Sequence, residues 1–253
     1  MARLPVPRDY ILATLKYIDA KLTQIPHCNL VIHSGHKRIR IKDPCHEYAV
    51  DSPNGKRYQR FLYERQRLTN IRKNLTDLWK MNYKDRIYTD NVSINSDVNL
   101  KVRDLSEYID KGNNPYEKND LLYHNGIQYR SRVEMCIAET LDQLGLEYVY
   151  EPEIMLSYKK LSPDFIIKVP AFGCCIILEY MGLLDDSNYV ETAKSKLGIY
   201  MTNGYFPGTN LIILGGNKNS APSFDSIYNS IVTALANLCT IYVRVQDRVT
   251  NEN

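Results

Sequence analysis

The chain has 253 residues, of which 44% are hydrophobic, and it carries a net charge of +3. This length allows a buried core in one large domain or two small ones. No run approaches the roughly 18 to 20 apolar residues that span a membrane, and the first residues lack the apolar run of a secretion signal. We therefore expect a globular protein of the cytoplasm with no membrane partner.

The N-terminal part begins with a helical pattern and continues with a short β element. Apolar residues recur at helical spacing before Pro26, at Tyr10, Ile11, Leu15, Ile18 and Leu22. Two strand-like pieces, Leu30 to Ile32 and Arg38 to Ile41, then flank the turn signal Ser34-Gly35. Because apolar and basic residues alternate in the second piece, its basic side chains are expected to share one face.

The next stretch predicts a long basic helix. Pro53-Asn54-Gly55 is interpreted as a turn, and the residues from there to about Tyr83 contain no further proline or glycine. One face is apolar, through Phe61, Leu68, Ile71, Leu75 and Leu78. Between Lys56 and Lys80, eight basic residues stand against two acidic ones, a local charge of +6. This face is either a solvated surface or a contact with a nucleic-acid backbone, for which the candidates are Arg60, Arg67 and Lys73.

Residues from about Thr89 to Asn119 are polar and connect two parts of the chain, with some helix around Leu105 to Ile109. We therefore divide the chain at this connection. Residues 1–120 form a mainly helical region with a short β element, which is predicted to bind nucleic acid or a partner. Residues 121–253 form a second domain.

The second domain has an α/β order of elements. A helix is predicted at Ser131 to Leu144, another at about Ser187 to Thr202, and a last one at about Ser223 to Leu238. Strands are predicted at Glu147 to Tyr150, Pro163 to Val169, Cys174 to Tyr180, Asn210 to Leu214 and Ile241 to Val245. A helix followed by three strands, a helix and a strand predicts an α/β sandwich.

Three carboxylates stand out in this domain. Glu134 lies at the edge of a buried helical stripe, where a carboxylate needs a partner or a metal. Asp164 follows Pro163 at the start of an apolar strand, and Glu179 closes the apolar run of the next strand. Since neighbouring strands lie about 4.8 Å apart, the two strand acids are expected to share one divalent cation. Mg²⁺ suits such a site because it takes one or two carboxylates, a backbone carbonyl and water.

This arrangement resembles the PD-(D/E)XK nuclease superfamily, in which a helix glutamate, a Pro-Asp pair and a glutamate in the following strand form the active site. The runs Asn125 to Glu134, Pro163 to Phe165, Leu178 to Asp186 and Tyr200 to Asn210 are further similar to a largely uncharacterised bacterial branch of it. The resemblance covers about Leu122 to Gly215. It implies a restriction-endonuclease-like core, that is, a central mixed β-sheet flanked by helices.

One residue departs from the motif. The superfamily has lysine two residues after the strand glutamate, where an ammonium orients the attacking water, but here that residue is Met181. In parts of the superfamily this lysine moves to the following helix, where Lys194 and Lys196 are the candidates. We favour Lys196 because it borders an apolar stripe, although a surface lysine is an almost equal alternative. If neither lysine substitutes, the protein binds nucleic acid without cutting it.

The sequence and the resemblance together predict a Mg²⁺- or Mn²⁺-dependent endonuclease that hydrolyses DNA, in phage defence or in a mobile element. Glu134, Asp164, Glu179 and Lys196 are the expected catalytic residues, and Asp164, Glu179 and Tyr180 the metal ligands. Arg130 and Arg132 contact a phosphate or pair with an acid. The alternative is a catalytically inactive protein of this fold that binds nucleic acid or a protein partner as an inhibitor or regulator. RNA as the substrate and a homodimer or larger complex both stay open.

A zinc site is disfavoured. None of the six cysteines forms the paired short spacing of a four-ligand site. Two pairs of His and Cys residues lie close in sequence, His33 with His36 and Cys45 with His46. Their irregular spacing is typical of loop residues.

Overall fold

A computed structural model describes residues 2–42, 45–95, 122–217 and 219–245, and it shows a mixed α/β protein. Within these ranges there are five α-helices, α1 Arg8–Gln24, α2 Pro53–Asn82, α3 Arg132–Gln143, α4 Ser187–Thr202 and α5 Phe224–Tyr242. The strands are β1 Cys28–His33, β2 His36–Ile41, β3 His46–Ala49, β4 Val92–Ile94, β5 Tyr123–His124, β6 Ile127–Gln128, β7 Glu147–Tyr150, β8 Ile154–Leu156, β9 Lys159–Leu161, β10 Phe165–Val169, β11 Cys174–Met181, β12 Leu211–Gly215 and β13 Val243–Val245. Among the described helices, none has the length and apolar character required to cross a bilayer.

A four-stranded sheet forms the centre of the C-terminal part, with strand order β12-β11-β10-β7. β10 lies antiparallel between β7 and β11, and β12 runs parallel to β11. Successive side chains point to opposite faces of a strand. Phe165 and Ile167 therefore join a large core with α3 and α5, whereas Ile166 joins a smaller core with Tyr200 of α4. The sheet is thus covered on both faces, as its apolar strand sequences require.

The N-terminal part shares the large core. Buried residues of α1 and α2, among them Ile11, Ile18, Leu75 and Trp79, belong to the same cluster as those of α3 and α5. The predicted boundary at residue 120 lies outside the described residues, as does the predicted helix around Leu105 to Ile109. Both parts of the chain therefore contribute to one continuous core.

The predicted β element is a three-stranded sheet. The two predicted strands form a hairpin across Ser34-Gly35, whose φ angles of 52° and 79° fit the type I′ turn of a two-residue hairpin. β3, which the sequence did not predict, pairs with β2. Other short pairs were also missed, namely β5 with β6, β8 with β9, and β4, the partner of the predicted last strand.

The expectation of a turn at Pro53-Asn54-Gly55 is wrong, because α2 begins at Pro53. The Ser52 side chain caps the helix by accepting a hydrogen bond from Gly55 N at 3.0 Å, and proline suits the first helical turn. Glycine is required at position 55 by a close approach of the backbone. A Cβ atom there would lie 1.8 Å from the Ala49 carbonyl oxygen at the end of β3.

We predict that Gly55→Ala destabilises the fold by at least about 2 kcal/mol, because overpacking against a backbone carbonyl forces the helix away from β3. The matched control is Gly198→Ala in α4, where a Cβ meets nothing within 4 Å and alanine raises helix propensity by about 0.5–1 kcal/mol. Denaturant unfolding measures both changes. A Gly55→Ala variant as stable as the wild type would contradict the close approach.

Candidate functional site

Asp164 and Glu179 face each other across the β10–β11 ladder. Phe165 pairs with Leu178 in that ladder, so the preceding Asp164 is opposite the following Glu179. The Tyr180 amide donates a hydrogen bond of 2.7 Å to Asp164 Oδ2. Both carboxylates are buried. The structure therefore brings the two predicted strand acids together at one end of the central sheet.

Lys196 supplies a positive charge to Glu179 from α4. Its Nζ lies 2.7 Å from Glu179 Oε1 and donates to the Ser162 carbonyl oxygen at 2.9 Å. Lys194, the other predicted candidate, is exposed and pairs with Glu191 on the same helix at 2.6 Å. Met181 is buried and points to the same side of β11 as Glu179, two residues away. The strand thus has no lysine two residues after Glu179, but Lys196 of α4 contacts the same carboxylate.

Tyr200 holds the same carboxylate one helical turn further along α4. Its hydroxyl donates to Glu179 Oε1 at 2.5 Å, and the whole side chain is buried. Burial, followed by the Glu179 charge, raises the pKa of Tyr200 strongly. The phenol therefore stays protonated and acts as a fixed donor. The sequence signal for this contact is the spacing from Lys196 to Tyr200, since residues four apart share a helix face.

Glu134 is engaged mainly in capping its own helix. Glu134 N donates to Ser131 Oγ at 3.2 Å, and Glu134 Oε2 accepts from Ser131 N at 3.3 Å, which completes a capping box. Oε2 also accepts a 2.6 Å hydrogen bond from the Tyr150 hydroxyl. A buried carboxylate at this position is expected to need a partner. Its partners include the N-terminus of α3 and the Tyr150 hydroxyl. Its charge still reaches the strand acids, because it contributes to raising the pKa of Asp164.

Arg130 connects the carboxylates on the other side of the cluster. Its Nη2 lies 3.3 Å from Asp164 Oδ1 and 3.8 Å from Glu134 Oε1, and its Nε pairs with Glu151. Burial lowers the pKa of Arg130, but the charges of Glu134 and Glu151 outweigh it and raise that pKa overall. Of the two predicted outcomes for Arg130, pairing with acids is the observed one. Arg132 is exposed.

Glu151 is a buried acid that sequence reasoning missed. It directly follows β7, has a positive φ of 47°, and its amide donates to the Asp164 carbonyl oxygen at 2.9 Å. Nothing in the local pattern distinguishes it from an exposed loop glutamate. Its burial follows from the register of β7 on β10, which places the residue after Tyr150 beside the residue before Phe165.

The cluster has an excess of negative charge. Four buried carboxylates, Glu134, Glu151, Asp164 and Glu179, are accompanied by the two cations Arg130 and Lys196. Burial and the neighbouring Glu179 raise the pKa of Asp164 from 3.8 to about 7, although Lys196 and the Tyr180 amide act in the opposite direction. The site therefore favours the uptake of a proton or of a further cation.

The basic residues of α2 do not form one solvent face. The Arg65 guanidinium donates to the carbonyl oxygens of Leu22 and Ile25, where it satisfies the C-terminal end of α1. Arg72 pairs with Asp19 of α1 at 2.7 Å. Arg67 pairs with Glu147 of β7 at 2.5 Å and so joins the two parts of the chain. Much of the positive charge thus neutralises neighbouring elements, while Arg60 and Lys73 are exposed.

Across the described ranges, no group of three or more His, Cys, Asp or Glu side chains is arranged to hold a metal ion. Two carboxylates are enough for Mg²⁺, which binds one or two of them and completes its coordination with water and substrate oxygens. Asp164 and Glu179 meet this requirement. Each carboxylate oxygen has two lone pairs. Glu179 Oε1 is contacted by both Tyr200 and Lys196, whereas Glu179 Oε2 and the two Asp164 oxygens each accept one hydrogen bond and so keep a lone pair for a metal contact. The pair therefore fits a magnesium ion but not a closed cage of protein ligands.

Comparisons with known proteins are sparse. No family model matches the chain, and no solved structure matches it. The chain is similar to an uncharacterised protein of Methanocaldococcus jannaschii, with 32% identity over 95 residues. That match covers 36% of this chain and 8% of the relative. It assigns neither a family nor a function.

The raised pKa of Asp164 predicts how stability changes with pH. Between pH 3.8 and about 7 the folded chain retains a proton that the unfolded chain has released. Stability therefore falls as pH rises through this window, and the whole penalty is present above pH 7. In metal-free buffer, Asp164→Asn should raise the Tm by several degrees at pH 8 and by progressively less towards pH 5. The control is Asp185→Asn at an exposed acid. An Asp164→Asn effect that does not change with pH would contradict the raised pKa.

Proposed function

We propose that the protein is a Mg²⁺- or Mn²⁺-dependent endonuclease with a restriction-endonuclease-like core, and that DNA is its substrate. The observation that carries the proposal is the contact of Lys196 Nζ with Glu179, beside Asp164. The sequence motif lacks a lysine at Met181, and a lysine from α4 stands at the same carboxylate. Asp164, Glu179 and Lys196 therefore lie close together, although the lysine is not two residues after the strand glutamate.

Asp164, Glu179 and the Tyr180 main-chain carbonyl would hold the metal ion. When bound, Mg²⁺ lowers the pKa of a water molecule and neutralises charge that develops on a phosphodiester. Two features of the chain support this role. The excess of carboxylates over cations favours a divalent ion, and the acids lie on neighbouring strands of a rigid sheet.

The side chains around the metal ligands have distinct roles in this proposal. Lys196 orients the attacking water and stabilises negative charge through its ammonium group. Tyr200 is a positioning residue, because its hydroxyl fixes the Glu179 oxygen that Lys196 also contacts. Glu134 adds negative charge near the strand acids while it caps α3. Exposed Arg60, Lys73 and Arg132 are available for phosphate contacts, whereas Arg67 is held by Glu147.

A catalytically inactive binding protein is the second candidate. The observation that favours it is Arg130, whose guanidinium already neutralises part of the Asp164 charge. Binding of a metal ion then requires Arg130 to share Asp164 or to turn towards Glu134 and Glu151. In the inactive alternative, Arg130 and Lys196 are structural cations that satisfy buried acids.

The proposal predicts that plasmid DNA is cleaved with Mg²⁺ or Mn²⁺ and that chelation abolishes cleavage. Asp164→Asn should reduce the rate below detection, and Lys196→Met should reduce it about 10²- to 10³-fold, the usual effect of removing one transition-state donor. Lys194→Met is the matched control on the same helix and should retain the wild-type rate. Single-stranded DNA and RNA, incubated in parallel, define the substrate class.

Two results would overturn the enzyme proposal. One is the absence of cleavage of every substrate in either metal. The other is cleavage that persists unchanged in Asp164→Asn, since a contaminating nuclease would then be its source. Calorimetric titration with Mn²⁺ shows whether the protein binds a metal ion at Asp164. If it does, the heat of binding seen with the wild type is lost in Asp164→Asn.

A further inference from the structure

The hairpin of β8 and β9 has an unusual tip. Its two-residue turn is Ser157-Tyr158, with φ angles of 47° and 63°, between the paired residues Leu156 and Lys159. Type I′ turns with both residues at positive φ favour Asn-Gly. A residue other than glycine in the left-handed region costs about 1–2 kcal/mol. A tyrosine at this position is therefore not explained by the needs of the turn.

The Tyr158 side chain gains nothing from the fold. It is 100% exposed, whereas burying a large apolar side chain stabilises a protein by about 1.5–3 kcal/mol. The neighbouring Lys159 is exposed as well, while Lys160 pairs with Glu153. The tip thus presents the Tyr158 ring and the adjacent Lys159 ammonium group to solvent.

The hairpin is nevertheless held firmly to the candidate site. Its inward residues Ile154 and Leu156 pack in the smaller core with Tyr200, the residue that holds Glu179. Asn203, just after α4, donates a 2.7 Å hydrogen bond to Ser157 Oγ at the turn. The tip is therefore fixed relative to the helix that carries Lys196, which reduces the entropy lost when a ligand binds.

The tip is also close to the acids along the chain. β9 leads directly through Ser162 and Pro163 to Asp164, so Asp164 is the sixth residue after Tyr158. At about 3.3 Å per residue the tip lies within about 20 Å of Asp164. Phosphates of one strand follow each other at about 3.4 Å along a duplex. A nucleic acid at Asp164 therefore reaches the tip within about six nucleotides.

We infer that the tip, Ser157 to Lys159, binds an unpaired nucleotide, with the Tyr158 ring stacked on the base and Lys159 beside the phosphate. This inference rests on the proposed function and narrows its substrate to DNA with a single-stranded segment. Base faces inside a duplex are covered by their neighbours, so an exposed ring finds a stacking partner only where a base is unpaired. Stacking on an aromatic side chain is tolerant of sequence because every base has a π-face.

The test measures binding in a full-length chain that carries Asp164→Asn, so that cleavage cannot interfere. The probes are a fluorescently labelled 20-nucleotide single-stranded DNA and a blunt 20-base-pair duplex, followed by anisotropy. Adding Tyr158→Ala should weaken single-strand binding about 5- to 150-fold, as the loss of one stacked base implies. Tyr158→Phe keeps the ring and should bind within about twofold of the parent. Duplex affinity should change by less than about twofold.

Single-strand affinity that Tyr158→Ala leaves unchanged would overturn the inference. So would an equal loss in Tyr158→Ala and Tyr158→Phe, since the hydroxyl rather than the ring would then be the contact. Because the tip is exposed, all variants should unfold at the parent Tm, which excludes loss of fold as a cause. Failure of this inference is distinguishable from failure of the enzyme proposal, because the cleavage assay uses the wild-type chain and this assay measures binding alone.

Discussion

The ion pair between Lys196 and Glu179 is the interaction on which the candidate site depends. Glu179 follows five buried apolar residues of β11, Cys174 to Leu178, and an ionised carboxylate there must be compensated. Two residues of α4 provide that compensation, Lys196 with its ammonium and Tyr200 with its hydroxyl. Removal of either leaves part of a buried charge unsatisfied. The position of α4 on the sheet and the state of Glu179 are therefore coupled, and packing of the helix supports the chemistry of the strand.

The central sheet supplies the second constraint. Its register places Asp164 opposite Glu179 and also brings Glu151 to the backbone of Asp164. Four buried carboxylates then lie in one cluster, and among the described residues Arg130 and Lys196 are the cations that pair with them. A fold selected for stability alone gains little from such a cluster, because each buried charge has a desolvation cost. A bound proton or metal ion would neutralise the excess negative charge. For this reason we prefer the enzyme proposal to the inactive alternative.

Much of the secondary structure follows from the sequence because the apolar periodicity is clear. The helix at Ser187 to Thr202 has the predicted bounds, and the mixed α/β class is confirmed. The start of α2 differs from the predicted turn because Pro-Asn-Gly is both a turn signal and a helix start, and the Ser52 cap and the close approach of Gly55 to Ala49 distinguish the two. β8 and β9 were missed because three residues per strand carry too little alternation. The burial of Glu151 and the ion pairs of Arg65, Arg67 and Arg72 depend on tertiary contacts, which no local pattern encodes.

Moving the lysine back into the strand tests the role of Lys196 most directly. Met181 lies on the same side of β11 as Glu179, so Met181→Lys places an ammonium where the motif expects it. If Lys196 acts as the substitute, Lys196→Met slows metal-dependent DNA cleavage about 10²- to 10³-fold, and the double variant Met181→Lys, Lys196→Met regains a substantial part of the rate. A double variant that folds with the wild-type Tm but cleaves DNA as slowly as Lys196→Met would contradict the assignment of that role to Lys196.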